Sequence, residues 1–193
     1  MRKHVRFRQT IGMHRTAAVL LVGLLTLGAC SSSSPAPTTQ PAGSTPSAGE
    51  PDGTKTFEGL AQTHVDTPVD YPQKPPVGGP HSRVWQNCAF YNTPIISDHA
   101  VHSMEHGAVW ITFDPKLASA QVGLIKKLVK GKVLASPFDG LPSPVVASAW
   151  GKQLQLQSAD DPKLAQFVKY FTDGPQTPEP GATCSGGTSE TAG

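Results

Sequence analysis

Apolar residues follow three regimes along the chain, and each predicts a different kind of structure. An apolar run from Thr16 to Leu27 follows a basic stretch and leads into Leu27-Gly28-Ala29-Cys30. At about twelve residues it is too short to cross a bilayer as a helix and fits the core of a signal peptide. From Ser31 to Lys55 the chain carries five prolines and no residue larger than Gln or Lys. Such a stretch cannot bury enough surface to fold. Periodic patterns begin after that.

Within the third regime, Thr56 to Ile96 is interrupted by Pro68, Pro72, Pro75, Pro76, Pro80 and Pro94, which exclude long helices and interior strands. It predicts loops with short extended pieces, and structureless stretches of this length are usually functional. The rest is more regular. Ser97 or Asp98 as N-cap and Gly107 as C′ predict a short helix between them. Ala108–Phe113 predicts a strand by its β-branched and aromatic content. Asp114-Pro115 then predicts a helix start, with Leu117, Gln121, Leu124, Ile125 and Leu128 on one stripe and Gly131 as its end. Lys132–Ser136 and Val145–Trp150 predict strands, and Gly151-Lys152 turns the chain into a third, Gln153–Gln157, whose Gln/Leu alternation implies one wet face. Asp161-Pro162 opens a further helix with Leu164, Phe167, Val168 and Phe171, ending at Gly174.

The fold class expected is α+β: a small antiparallel or mixed sheet with two helices, and a long loop-rich N-terminal half. The string Asp-Pro-Lys-Leu-Ala recurs at 114–118 and 161–165, each time after a strand. Two similar βα units in a ferredoxin-like sandwich would produce it. So would the aptitude of Asp-Pro for the N-cap and first helical position, met twice.

Composition removes other classes. Gly and Pro number 19 each in 193 residues, and charged residues are 16%, which excludes a coiled coil, a helical repeat and a collagen-like rod. The 16 Lys+Arg and 14 Asp+Glu give +2, but Arg2, Lys3, Arg6, Arg8 and Arg15 all precede Cys30, with no acid among them. Without those five, 11 basic residues face 14 acidic ones, near −3. No basic patch remains, so a nucleic-acid partner has no electrostatic support.

Small residues just before Cys30 form the pattern of a bacterial lipoprotein signal, in which that cysteine becomes the lipid-bearing N-terminus. Met13 to Cys30 alone reads as a complete short signal, so translation could start at Met1 or Met13. The expected organisation is a signal peptide at 1–29, a lipidated Cys30 with a disordered tether at 30–55, one domain at 56–180 and a flexible tail at 181–193. The expected partner is the cytoplasmic membrane, held through lipid on Cys30, with the domain on its extracytoplasmic face. Several acyl chains give lasting attachment, because one chain holds only weakly. An oxidising exterior favours pairing the two remaining cysteines, Cys88 and Cys184, which would tie the tail back to the domain. The alternative for Cys88 is a soft metal ligand.

His64, His81, His99, His102 and His106 remain after the signal. His81 follows a rigid turn, Pro75-Pro76-Val77-Gly78-Gly79-Pro80, whose glycines permit close backbone approach. His102, Glu105 and His106 lie in VHSMEHG. On a helix His102 and His106 share a face at i and i+4, with Glu105 at i+3, and Met104 then points to the core. These imidazoles, with His81 and His64, could supply a first shell for copper or zinc. Hydrogen bonding of the same rings to loop backbone is the bland alternative, and general acid–base catalysis, with Glu105 as candidate, is another. His99 is expected to be exposed. Ser103 has no support as a nucleophile, and neither a nucleophile elbow nor a phosphate loop is present. Trp85, Trp110 and Trp150 suit core packing better than a ligand groove.

PPVGGPH (75–81), AVHSMEHGAVWI (100–111) and Trp150-Gly151 resemble the family catalogued as domain of unknown function 3105 over roughly residues 57–180. That family's usual pattern is a Pro-Pro-x-Ser-Gly-x-His turn and a His-x-x-Glu-His-Gly segment. The resemblance implies that His81, His102, Glu105 and His106 belong to a common site, and it implies no activity. This chain departs from the pattern with Gly78 in place of the serine and Met104 where leucine is common. The function expected is that of a lipoprotein whose histidines bind a metal ion. A His/Glu or metal-dependent enzyme acting on an envelope substrate and a structural lipoprotein without metal are the alternatives.

Overall fold

The computed structural model describes residues 49–192. The signal segment, Cys30 and most of the tether lie outside the described residues. No helix among the described residues is long and apolar enough to cross a membrane.

The centre of the fold is strand β4 (Val109–Phe113), buried at all five positions. Its run of β-branched and aromatic residues is explained by cover on both faces. It pairs in parallel with β5 (Val133–Pro137) and antiparallel with β6 (Val145–Ala149). A hairpin joins β6 to β7 (Lys152–Leu156), and β1 (Lys55–Thr56) adds to the far edge. The mixed sheet therefore runs β1-β7-β6-β4-β5.

Val109, Ile111 and Phe113 face one core, shared with Ile125 of α2 (Ser119–Leu128) and with Leu164, Phe167 and Phe171 of α3 (Pro162–Phe171). Trp110 and Leu134 face the other, beneath Ala100, Val101 and Met104 of α1 (Ser97–Glu105) and the loop-rich half of the chain. The α+β class and the mixed sheet are as expected. A ferredoxin-like arrangement is not what forms. That topology splits its βαβ unit with an intervening strand, whereas β4 and β5 are hydrogen-bonded neighbours.

The two Asp-Pro-Lys-Leu-Ala strings behave differently, which corrects the first helix start. At the second, the Asp161 carboxylate accepts from the Lys163 amide at 2.9 Å and the helix begins at Pro162. At the first, Asp114 makes a similar contact with Lys116 at 2.7 Å, but α2 starts only at Ser119. The sixth residue after each aspartate differs: Phe167 is fully buried, whereas Ala120 is exposed. Leu164 in the first turn and Phe167 in the second hold the start of α3 onto the sheet, whereas the matching positions near α2 are the half-buried Leu117 and the exposed Ala120. Strand limits differ by one residue from expectation at β4, β5, β6 and β7.

Three further differences come from tertiary cover. The face of β7 expected to be wet is closed at Gln153, whose amide donates to Pro75 O at 3.0 Å. The last residues of the expected tether are built onto the domain, with Lys55 opposite Gln153 and the Gln166 amide on Gly49 O at 3.0 Å. The tail expected to be flexible is a strap, bridged at Gln86 to Thr188 and at Ile95 to Thr191. Cys88 and Cys184 form a disulfide across 96 residues.

Candidate metal centre

Two local devices deliver the histidines. The first is a two-residue parallel pair, β2 (His64–Val65) with β3 (His81–Ser82), in which His64 stands directly opposite His81. The turn before β3 is held by the Gly151 amide, which donates to Val77 O at 2.7 Å. Gly78 has φ +145°, and a Cβ there would meet Leu60 Cδ1 at 2.8 Å and the Trp150 ring at 3.2 Å. A side chain at this position would have to displace Leu60 and press on the Trp150 ring.

The second device is the C-terminus of α1. The Gly107 amide bonds to Met104 O and the Ala108 amide to Ser103 O, with Gly107 at φ +89°. This Schellman closure ends the helix at Glu105, with His106 as its C-cap. Gly107 is the expected C′ residue, while the N-cap is Ile96, one residue before the expected Ser97. His102, Glu105 and His106 consequently lie on one face at i, i+3 and i+4. Met104 is fully buried in the core, as its apolar character implies.

The side chains then converge. His81 Nε2 lies 2.8 Å from Glu105 Oε2, and His64 Nε2 lies 3.6 Å from the same oxygen. Ring centroids of His64 and His81 are 4.8 Å apart, and those of His64 and His102 4.7 Å. His64, His81, His102 and Glu105 each offer one donor atom, all within 4.8 Å of one another. His102, His106 and Glu179 form a second such group. The expected set of His81, His102 and His106 is therefore divided: His81 falls in the first group and His106 in the second, with His102 common to both. Glu105, a catalytic candidate on sequence grounds, sits among the donors and is buried.

Backbone contacts decide which ring nitrogens are free. His81 Nδ1 lies 2.8 Å from Gly79 O, His102 Nδ1 2.7 Å from Ser82 O, and His106 Nδ1 2.7 Å from Thr183 O. A carbonyl oxygen can only accept, so each Nδ1 carries its hydrogen and each Nε2 of a neutral ring presents a lone pair. This is how metal-ligating histidines are usually oriented. With Nδ1 of His81 committed, its Nε2 and the Glu105 carboxylate can approach to 2.8 Å only with a cation between them, either a proton or a metal ion. His64 Nε2 is buried with no hydrogen-bond partner. Tetrahedral zinc with bonds of about 2.0–2.2 Å separates its donors by roughly 3.3–3.6 Å, and the two contacts to Glu105 are 2.8 and 3.6 Å. The first group fits such an ion in donor type and burial, and the 3.6 Å contact fits it in spacing, whereas His81 and Glu105 at 2.8 Å stand at hydrogen-bond distance and would move apart by about 0.5 Å to bind it.

His102 is held neutral. Burial, and next the charges that His106, His81 and His64 would carry, push its pKa down to about 4, against the opposing pull of its hydrogen bond to Ser82. The unfolded chain takes up this proton near pH 6.5, whereas the folded chain refuses it until about pH 4. The stability the group contributes is complete above pH 6.5 and declines as pH falls toward 4. Chelator-treated protein should therefore show a lower urea midpoint at about pH 5 than at about pH 7. An unchanged midpoint would mean that this ring is protonated as easily folded as unfolded.

The tryptophans divide by position. Trp110 is a core residue whose indole donates to Ser136 Oγ at 3.1 Å. Trp150 meets the His81 ring edge-on at 5.7 Å, and Trp85 lies against His102 and His106 at 5.7 and 5.2 Å. Ser103 Oγ donates to Gln86 O at 2.6 Å and is a structural hydroxyl. His99 is half-buried instead of exposed: it sits in the first turn of α1, where its carbonyl accepts from the Gln86 amide. Sequence reasoning missed Glu179, an isolated acid in a proline-rich stretch with no motif around it.

A family model described as protein of unknown function (DUF3105) matches residues 63–186. The chain belongs to the DUF3105 family. The matched interval runs from just before β2 to just past Cys184, so the DUF3105 region holds all six donors and both cysteines of the disulfide. No curated protein and no solved structure matches the chain.

Proposed function

We propose that this protein is a membrane-anchored, extracytoplasmic lipoprotein whose DUF3105 domain binds a single zinc or copper ion through His64, His81, His102 and Glu105. The observation that carries the metal reading is the set of buried, oriented lone pairs. His81 and His102 each have Nδ1 on a backbone carbonyl, and the buried Nε2 of His64 has no partner. All of them stand beside one buried carboxylate. Three imidazoles and one carboxylate suit zinc or copper, not a hard cation that prefers oxygen. Four protein donors fill a tetrahedral shell, which favours binding over metal-dependent hydrolysis, where one position stays open. The anchor rests on the apolar run ending in Leu27-Gly28-Ala29-Cys30 and on a domain whose cysteines are paired.

The test is to extract the untagged protein with detergent from its own membranes, without chelator, and measure its metal content. One equivalent of zinc or copper per chain is the expected result. Metal-free protein that takes up neither ion on titration would overturn the metal reading, and recovery from the aqueous fraction would overturn the anchor.

A further inference from the structure

His106 and Glu179 lie beside the inner group without belonging to it. His106 Nε2 is 3.4 Å from Glu179 Oε2, and the His106 ring is 4.5 Å from that of His102. His106 is fixed from outside the inner group, and Glu179 by the backbone of one of its members. His106 Nδ1 is held by Thr183 O, next to the disulfide at Cys184, and the Glu179 amide donates to Glu105 O at 3.1 Å. Lys132 Nζ adds a hydrogen bond to His106 O at 3.0 Å.

Apart from His64, exposure falls from the outer pair to the inner donors. The Glu179 side chain is 49% exposed and that of His106 6%, whereas Glu105 is at 2% and His81 at 0%. His102 stands between the two groups with one free nitrogen, because Nδ1 is committed to Ser82 O. His102 is a member of both groups, and with Nδ1 committed to Ser82 O its one remaining nitrogen can bind one ion at a time.

Resting on the inner site proposed above, we propose that His106 and Glu179, together with His102, form an outer cation position through which a divalent ion is exchanged between solvent and the inner site. An ion arriving at Glu179 and His106 completes a three-donor site by taking His102. Transfer of His102 to the inner side gives the ion four protein donors instead of three, so the inner position is the tighter. Departure reverses the order. Simultaneous filling is opposed because the two positions compete for one nitrogen, and because two divalent charges this close repel strongly away from bulk water. Direct loading past His64, whose side chain is 31% exposed, is the competing route.

The experiment uses the full-length chain, stripped by chelation and mixed with Zn²⁺. Tryptophan fluorescence is the readout, since Trp85 lies against His102 and His106. Glu179→Gln should slow zinc loading by about tenfold, the scale on which supporting residues act at metal sites. An unchanged rate would overturn the exchange role in favour of the His64 route. A second arm removes the inner site with His64→Ala and Glu105→Gln. This variant should retain one weakly bound zinc, and adding His106→Ala should abolish it. A folded inner-site variant that binds no zinc would overturn the outer position. Two zinc ions bound together by the unaltered protein would overturn the competition for His102. Unaltered protein that binds no zinc would remove the inner site itself, an outcome distinct from these.

Discussion

Alanine at both His64 and His102 is expected to lower zinc affinity by more than about 10³-fold, well beyond the 10–100-fold cost of altering a residue that only supports a ligand. The double substitution removes two of the four inner donors and leaves His81 with Glu105, a pair that a shared proton satisfies as well as a metal does. It also removes the donor common to both groups, so no three-donor site survives on either side. The fold should tolerate the change. His64 is partly exposed and lies in a two-residue strand, and the apolar core surrounding α1 contains neither ring. His99→Ala, on the same helix but outside both groups, is the control and should leave affinity unaltered. Competition with a chelator of known affinity gives the measurement. A loss of less than about tenfold in the double variant would show that the imidazoles only brace the loops.

Replacing both cysteines of the disulfide with serine should cost about 4 kcal/mol of unfolding free energy, because the bond closes a loop of roughly a hundred residues. The bond joins Cys88 to Cys184 across 96 residues, and the strap after it pairs with residues 86 and 95. For a domain whose total stability is about 5–15 kcal/mol, this is a large share. Losing it also releases Thr183, whose carbonyl orients His106. The inner donors do not rest on the strap, so zinc capacity should persist in the folded fraction while exchange through the outer position changes. Urea unfolding of the zinc-free double-serine variant against the oxidised parent tests this. A difference below about 1 kcal/mol would mean that the reduced chain is already restrained without the bond.

Wherever the governing contacts are local, the sequence alone determines the structure. Asp161, capping through the Lys163 amide a helix that begins at Pro162, and the Leu164, Phe167, Phe171 stripe define α3, and β-branched and aromatic content defines β4. Gly107 after VHSMEH determines where α1 stops, and with that the common face of His102, Glu105 and His106. Each of these signals acts over a handful of residues, through capping, helical spacing or a backbone conformation that glycine favours.

How those groups combine depends on contacts between segments far apart in the chain. His64 joins His81 because β2 pairs with β3 in parallel across an intervening loop, and two-residue strands leave no periodic signature. Glu179 reaches His106 from 73 positions away, and Thr183 orients that ring from 77. Gln153 is polar yet buried, since the proline-rich loop folds over it and supplies Pro75 O as acceptor. The delayed start of α2 depends on what the sheet offers Ala120 compared with Phe167. The physical reason is common to all four. Local propensities specify segments, but which segments share space is settled by burying two faces of one sheet, and the division of the donors between an inner and an outer group follows from that packing.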